Sequence, residues 1–139
     1  MRSMGLDVGE KRIGVAMSDP LKKTAYAFAV IERSGLDSTV KTLRDMIEEY
    51  DIEEIVVGMP YAMDGSEGPQ ARKTTTFIEE VKDRLDVSIA TWDERLSTAE
   101  AERSLIAAGI KPSMRKNIKD KVAAAVILQS YLDRQVKGK

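Results

Sequence analysis

Apolar side chains in the first third of the chain fall in short runs separated by turn formers. The runs Arg2 to Val8, Arg12 to Ser18 and Thr24 to Ile31 predict three successive strands. Gly9 to Lys11 and then Asp19-Pro20-Leu21 are short links, so an antiparallel meander is expected. After Ser34-Gly35 the period changes. Val40, Leu43, Ile47 and Tyr50 recur at helical spacing, with Lys41, Arg44, Asp45, Glu48 and Glu49 opposite them, which predicts an amphipathic helix over Leu36 to Tyr50.

Ile55-Val56-Val57-Gly58-Met59 is continuously apolar, as a strand covered on both faces should be, and Pro60 stops it. Met63-Asp64-Gly65-Ser66-Glu67-Gly68-Pro69 is rich in turn formers and reads as a surface loop. Helical spacing returns over Gln70 to Leu85 with Phe77, Ile78, Val81 and Leu85, and Val87 to Trp92 reads as a strand ending in Asp93-Glu94-Arg95. Ser97 with Glu100 forms a capping-box pattern for a helix through Ala108, and Gly109 is placed to end it. A charged link, Lys111 to Asn117, leads into a last helix from Ile118 to Arg134. The middle of that helix, Val122 to Leu128, is apolar on almost every face, which predicts burial against the sheet. Helix-separated strands imply parallel pairing, so the expectation is one α/β domain over residues 1–139: a mixed five-stranded sheet with helices packed against it.

Composition narrows the chemistry. The 22 basic and 23 acidic side chains nearly balance, so a nucleic-acid surface would have to be a local patch. Cysteine and histidine are both absent. That closes thiolate nucleophiles, serine-histidine triads and zinc held by thiolate or imidazole, and leaves carboxylates, lysine, tyrosine or metal-bound water for hydrolytic work. No signal-peptide core or membrane span is expected, and a cytoplasmic location follows as the plain reading.

Three carboxylate positions stand out: Asp7 inside an apolar strand, Asp93 or Glu94 at the end of the last strand, and Asp120 in the first turn of the apolar final helix. An ionised carboxylate in Asp7's position loses hydration and needs a cation, a metal or several donors facing it. Its plain structural role would be an ion pair with Lys11 or Arg12. Adjacent strand residues point to opposite sides, so one of Asp93 and Glu94 is expected to be a direct ligand, while Asp120 could simply cap its helix. Gathered carboxylates repel one another, and magnesium or manganese relieves that repulsion with hard oxygen ligands.

Among the cations, Arg12 and Arg95 follow Asp7 and Glu94 closely enough to reach an anion held there, or to form local ion pairs. Arg72 and Lys73 follow the glycine-rich loop, and Lys111, Arg115, Lys116, Lys119 and Lys121 surround the entry to the last helix. These could track a phosphate backbone or be solvated surface. Trp92 and Tyr61 are read as packing residues, and neither a phosphate-loop nor a dinucleotide fingerprint surrounds Gly9 and Gly14.

Gly5-Leu6-Asp7-Val8-Gly9 with Lys11 to Ala16, Val57-Gly58-Met59-Pro60 with Met63-Asp64-Gly65, Asp93-Glu94-Arg95-Leu96-Ser97-Thr98, and Asp120 with Ala123-Ala124-Ala125 and Ile127-Leu128 together resemble the YqgF family of RuvX-type nucleases, in order and over essentially the whole chain. The resemblance implies a ribonuclease H-like fold related to the RuvC resolvase, with Asp7, Glu94 and Asp120 as acids binding magnesium or manganese for phosphodiester hydrolysis. It also implies a structured nucleic-acid partner: precursor small-subunit ribosomal RNA trimmed at its 5′ end, within a ribosomal precursor particle, or a four-way DNA junction. A noncatalytic ribosome-assembly factor and an ATP-using phosphotransferase are competing readings. The oligomeric state is expected to be a monomer or a weak homodimer. Junction cleavage calls for two-fold symmetry, and trimming an RNA end needs one site.

Overall fold

The computed structural model describes residues 1–96 and 115–137, side chains of 115–121 and 136–137 excepted. Its elements are β1 (Arg2–Val8), β2 (Arg12–Ser18), β3 (Ala25–Glu32), α1 (Leu36–Tyr50), β4 (Ile52–Met59), α2 (Pro69–Val81), β5 (Ser88–Asp93), a 3-10 turn at Glu94–Leu96 and α3 (Arg115–Lys137). The strands form one sheet in the order β3-β2-β1-β4-β5. The β1–β2 and β2–β3 pairs are antiparallel, and β1–β4 and β4–β5 are parallel, which is the mixed sheet expected from the element order.

Alternation along the strands divides the core between two faces. Met4 and Leu6 of β1, Ile13, Val15 and Met17 of β2, and Ile55 and Val57 of β4 pack with Val40 and Leu43 of α1 and Phe77 and Val81 of α2. Each such fully buried side chain contributes about 1.5–3 kcal/mol. On the other face Ala16, Ala25 and Val56 pack against Ala124, Ala125, Ile127, Leu128 and Leu132 of α3. The nearly all-round apolar stretch of α3 is therefore buried against the sheet, as its composition predicts.

Small side chains on this second face let α3 come close. A Cβ at Gly5 would sit 2.8 Å from Leu128 Cβ and 3.0 Å from the Ala124 carbonyl oxygen, and one at Gly58 would run into Ile127. Gln129 ties the helix to the start of β3, accepting from Ala25 N at 2.8 Å and donating to the Lys23 carbonyl at 3.0 Å. The Tyr131 hydroxyl donates to Glu54 near the start of β4, whereas Ile127 lies over Gly58 near its end. Hence α3 runs antiparallel to β4, and its N-terminal half points toward the carboxyl ends of the parallel strands.

Several boundaries differ from the sequence pattern. β4 starts at Ile52, not Ile55, because Asp51 adopts the left-handed conformation (φ 55°) at the end of α1 and the chain turns straight into the sheet. α2 ends at Val81, because residues 82–84 tighten into a turn in which Arg84 N donates to the Val81 carbonyl at 2.9 Å; Leu85 still reaches the core from that turn. β5 extends to Asp93. Arg115–Asn117, expected as a charged link, are the first residues of α3. The helix predicted from Ser97 to Ala108, together with Gly109 and Lys111, lies outside the described residues. No described helix is long and apolar enough to cross a membrane.

Candidate active site

β1 lies at the centre of the sheet, with antiparallel β2 on one side and parallel β4 on the other. Strand direction changes there, and such a place in an α/β sheet leaves a crevice at the strands' carboxyl ends. Asp7 occupies it. It is the penultimate residue of β1, half-buried, and opposite Gly14 of β2. By alternation it shares the α3-facing side of the sheet with Gly5.

Glu94 reaches the same side from the end of β5. Its half-buried carboxyl is pushed up to about 7, first by burial and then by the negative charges of Asp7 and Asp93. Asp7 acts on this carboxyl across β4, from the end of one strand to the turn after another. Gly58 of β4 makes room between them, since a Cβ there would lie 3.1 Å from Glu94 Cγ as well as colliding with Ile127.

The neighbouring acid has a different fate. Asp93 accepts from the Arg95 backbone N at 2.9 Å, from Arg95 Nε at 3.1 Å and from Arg95 Nη2 at 2.7 Å, and these bonds hold its carboxyl below the usual range. Arg95 also donates to the Met63 carbonyl at 3.3 Å and lies against Gly65, whose φ of +87° suits glycine. The Asp93–Arg95 pair thus joins the end of β5 to the loop after β4, and Glu94 stands beside that anchor.

Arg12 pairs with Glu32 at 2.9 Å across the β2–β3 ladder, where the two residues are in register. Lys73 pairs with Glu10 of the β1–β2 turn. Arg72 is exposed on the first turns of α2 and forms no ion pair with a described residue. Asp120 belongs to α3, one turn before Ala124, and its side chain lies outside the described residues, as do those of Arg115, Lys116, Lys119 and Lys121. Among the described residues no group of three or more acidic side chains is arranged to hold a metal ion. Trp92 is packing, as its position suggested, with its ring edge-to-face on Tyr131 at 6.2 Å.

Gly5 and Gly58 are the site residues that the sequence pattern did not single out. The available signal was a glycine inside a strand, which marks close approach of another group. Arg33, just past β3, gave no such signal. It donates to the Gly9 carbonyl at 2.7 Å and lies 5.2 Å over the Phe77 ring.

Residues 1–134 match the family model described as RuvX: Holliday junction resolvase. A protein of Desulforamulus reducens named "Putative pre-16S rRNA nuclease" is 53% identical over 137 residues, spanning 99% of this chain and 100% of that relative. One of the same name from Halothermothrix orenii is 51% identical, spanning 99% of this chain and 98% of its own. Among solved structures, Thermus thermophilus RuvC aligns with a TM-score of 0.62 at 13% identity over 97% of each chain. The fowlpox virus resolvase bound to substrate Holliday junction DNA aligns at 0.59 and 12% identity, over 98% of this chain and 99% of its own. At such identities the likeness is one of fold.

Proposed function

Since the chain belongs to the YqgF/RuvX family, we propose that it is a divalent-metal-dependent nuclease hydrolysing phosphodiester bonds in structured nucleic acid, with the 5′ end of precursor 16S ribosomal RNA as its cellular substrate. The observation that carries this reading is the half-buried Glu94 carboxyl on the Asp7 side of the sheet, raised to about 7 first by burial and then by the charges of Asp7 and Asp93. Two desolvated oxygen-donor groups that repel each other suit magnesium or manganese, because a hard dication removes both the repulsion and the desolvation cost. Bound there, such an ion supplies Lewis acidity that lowers the cost of charge on the scissile phosphate and eases deprotonation of the attacking water.

Asp7 and Glu94 hold the ion, with Asp120 as the third ligand. The direction of α3 supports Asp120's assignment, because the helix leads back from Ala124 toward the carboxyl edge of the sheet. Arg95 keeps Glu94 in place through Asp93. Arg12, whose exposed pair with Glu32 is weakly held in water, exchanges that partner for a substrate phosphate. Arg72, Lys73, Arg115, Lys116 and Lys119 bind the nucleic-acid backbone away from the scissile bond. The protein folds as one domain and acts in the cytoplasm on precursor particles.

The deciding experiment presents precursor 16S ribosomal RNA and matched four-way DNA junctions to wild type and Asp7→Asn, with magnesium, manganese or chelator. RNA trimming that requires metal, and that falls at least about a hundredfold in the folded variant, is expected. Junction cleavage by paired cuts, with the RNA left intact, would assign the resolvase activity that the family description carries. Tight RNA binding without metal-dependent cleavage of either substrate would make the protein a noncatalytic assembly factor.

A further inference from the structure

A cleft of about 720 Å³ opens on the α1 and α2 side of the sheet, directly beyond the end of β1. Val8 and Gly9 form its floor, Arg33 and Leu36 one wall, and Arg72, Lys73 and Thr76 the other. Asp7 precedes Val8 in the chain, so the cleft begins one residue, about 3.3 Å, further along the strand, on the face opposite the Asp7 side chain. We propose that this cleft is a second phosphate subsite, which takes the backbone of the nucleic-acid strand one or more steps from the scissile bond.

The charge pattern selects the ligand. Glu10, one of two acids in the cleft, is paired with Lys73, so its charge is offset. Arg33 is held by the Gly9 carbonyl and the Phe77 ring, which fixes a guanidinium beside the floor without cancelling its charge. Arg72 is exposed and without an acidic partner among the described residues. Glu80 is the remaining acid, so the balance favours an anion. A guanidinium offers forked donors that match phosphate oxygens, and Thr76 adds a hydroxyl in a wall otherwise short of aromatic surface. Such a site grips a sugar-phosphate chain without reading its bases.

The inference rests on the nuclease reading for the identity of the strand, but its test does not depend on cleavage. Affinities of a labelled single-stranded RNA and of the DNA of identical sequence are measured in chelator over a series of salt concentrations. The proteins are wild type, Arg72→Ala, Thr76→Glu and Lys41→Ala, the last removing a cation paired with Asp45 on α1 outside the cleft. Arg72→Ala is expected to weaken binding several-fold and to lower the slope of log affinity against log salt by about 0.7 on these single strands. Thr76→Glu should weaken it at least as much, and Lys41→Ala should leave it unchanged. Equal effects on RNA and DNA identify the phosphate backbone as what is held, and a loss confined to RNA points to the 2′-hydroxyl in addition. Unchanged binding in both cleft variants, or an equal loss in Lys41→Ala, overturns the proposal. Hydrolysis of bis(p-nitrophenyl) phosphate by wild type against Asp7→Asn reports on the carboxylates separately, so failure of the catalytic reading is seen apart from failure of the subsite.

Discussion

The Glu94 carboxyl is pushed up to about 7, first by burial and then by the negative charges of Asp7 and Asp93. An acid whose folded pKa lies above its unfolded value binds an extra proton in the native state between the two, here between about 4.5 and about 7. Its contribution is full below the lower value and is lost as pH rises through the upper one. The metal-free protein should therefore gain urea resistance from this group as pH falls from 8 toward 5, and Glu94→Gln should flatten that part of the profile. An identical profile in the two proteins would contradict the assignment of the shifted group. Asp93, one residue away, behaves oppositely because Arg95 supplies three donors to its carboxylate.

At the scale of elements, the approach of α3 to the sheet decides whether the site exists. Gly58 lies beneath Ile127 and beside Glu94, and Gly5 lies beneath Leu128 and Ala124. Both contacts are van der Waals surfaces already closed, so one added methyl must displace the helix or its neighbours. Gly58→Ala is expected to cost about 1–3 kcal/mol of stability. It should also weaken manganese binding, because Ile127 and Glu94 are the groups that give way. Urea unfolding and isothermal titration measure the two effects. Gly68→Ala, where a Cβ meets nothing within 4 Å, provides the comparison and should cost far less. The loop after β4 belongs to this scale too, since Arg95 fastens it to β5 through Met63 and Gly65.

Over the whole molecule, the sheet order brings residues 87 positions apart in sequence, Asp7 and Glu94, to one edge. A ligand that binds only this folded arrangement stabilises the entire chain. With magnesium or manganese at a hundred times its dissociation constant, the gain is about 2.7 kcal/mol. Differential scanning calorimetry should show a rise in Tm for wild type on adding the ion and little rise for Asp7→Asn. An equal rise in both would mean that the ion binds elsewhere. The same edge opens on its other side into the cleft lined by Arg33, Arg72 and Lys73, so the proposed metal site and the proposed phosphate subsite lie on opposite faces of one strand end.

Local periodicity determined much of this protein without reference to tertiary structure. The five strands, the helix from Leu36 to Tyr50 and the burial of the Val122 to Leu128 stretch all follow from spacing within a few residues, because each element must turn its apolar side to a core. The lack of histidine and cysteine likewise restricts the chemistry by composition alone. Asp7 was conspicuous because a charge in an apolar strand is costly wherever that strand ends up. Folding decided what depends on neighbours distant in the chain: that Glu94 lies within the influence of Asp7, that Arg12 faces Glu32, and that Arg33 joins the cleft of α2. A one-dimensional pattern states what each residue would rather avoid. Strand order and register, set by the packing of whole elements, choose which charges must then share a space.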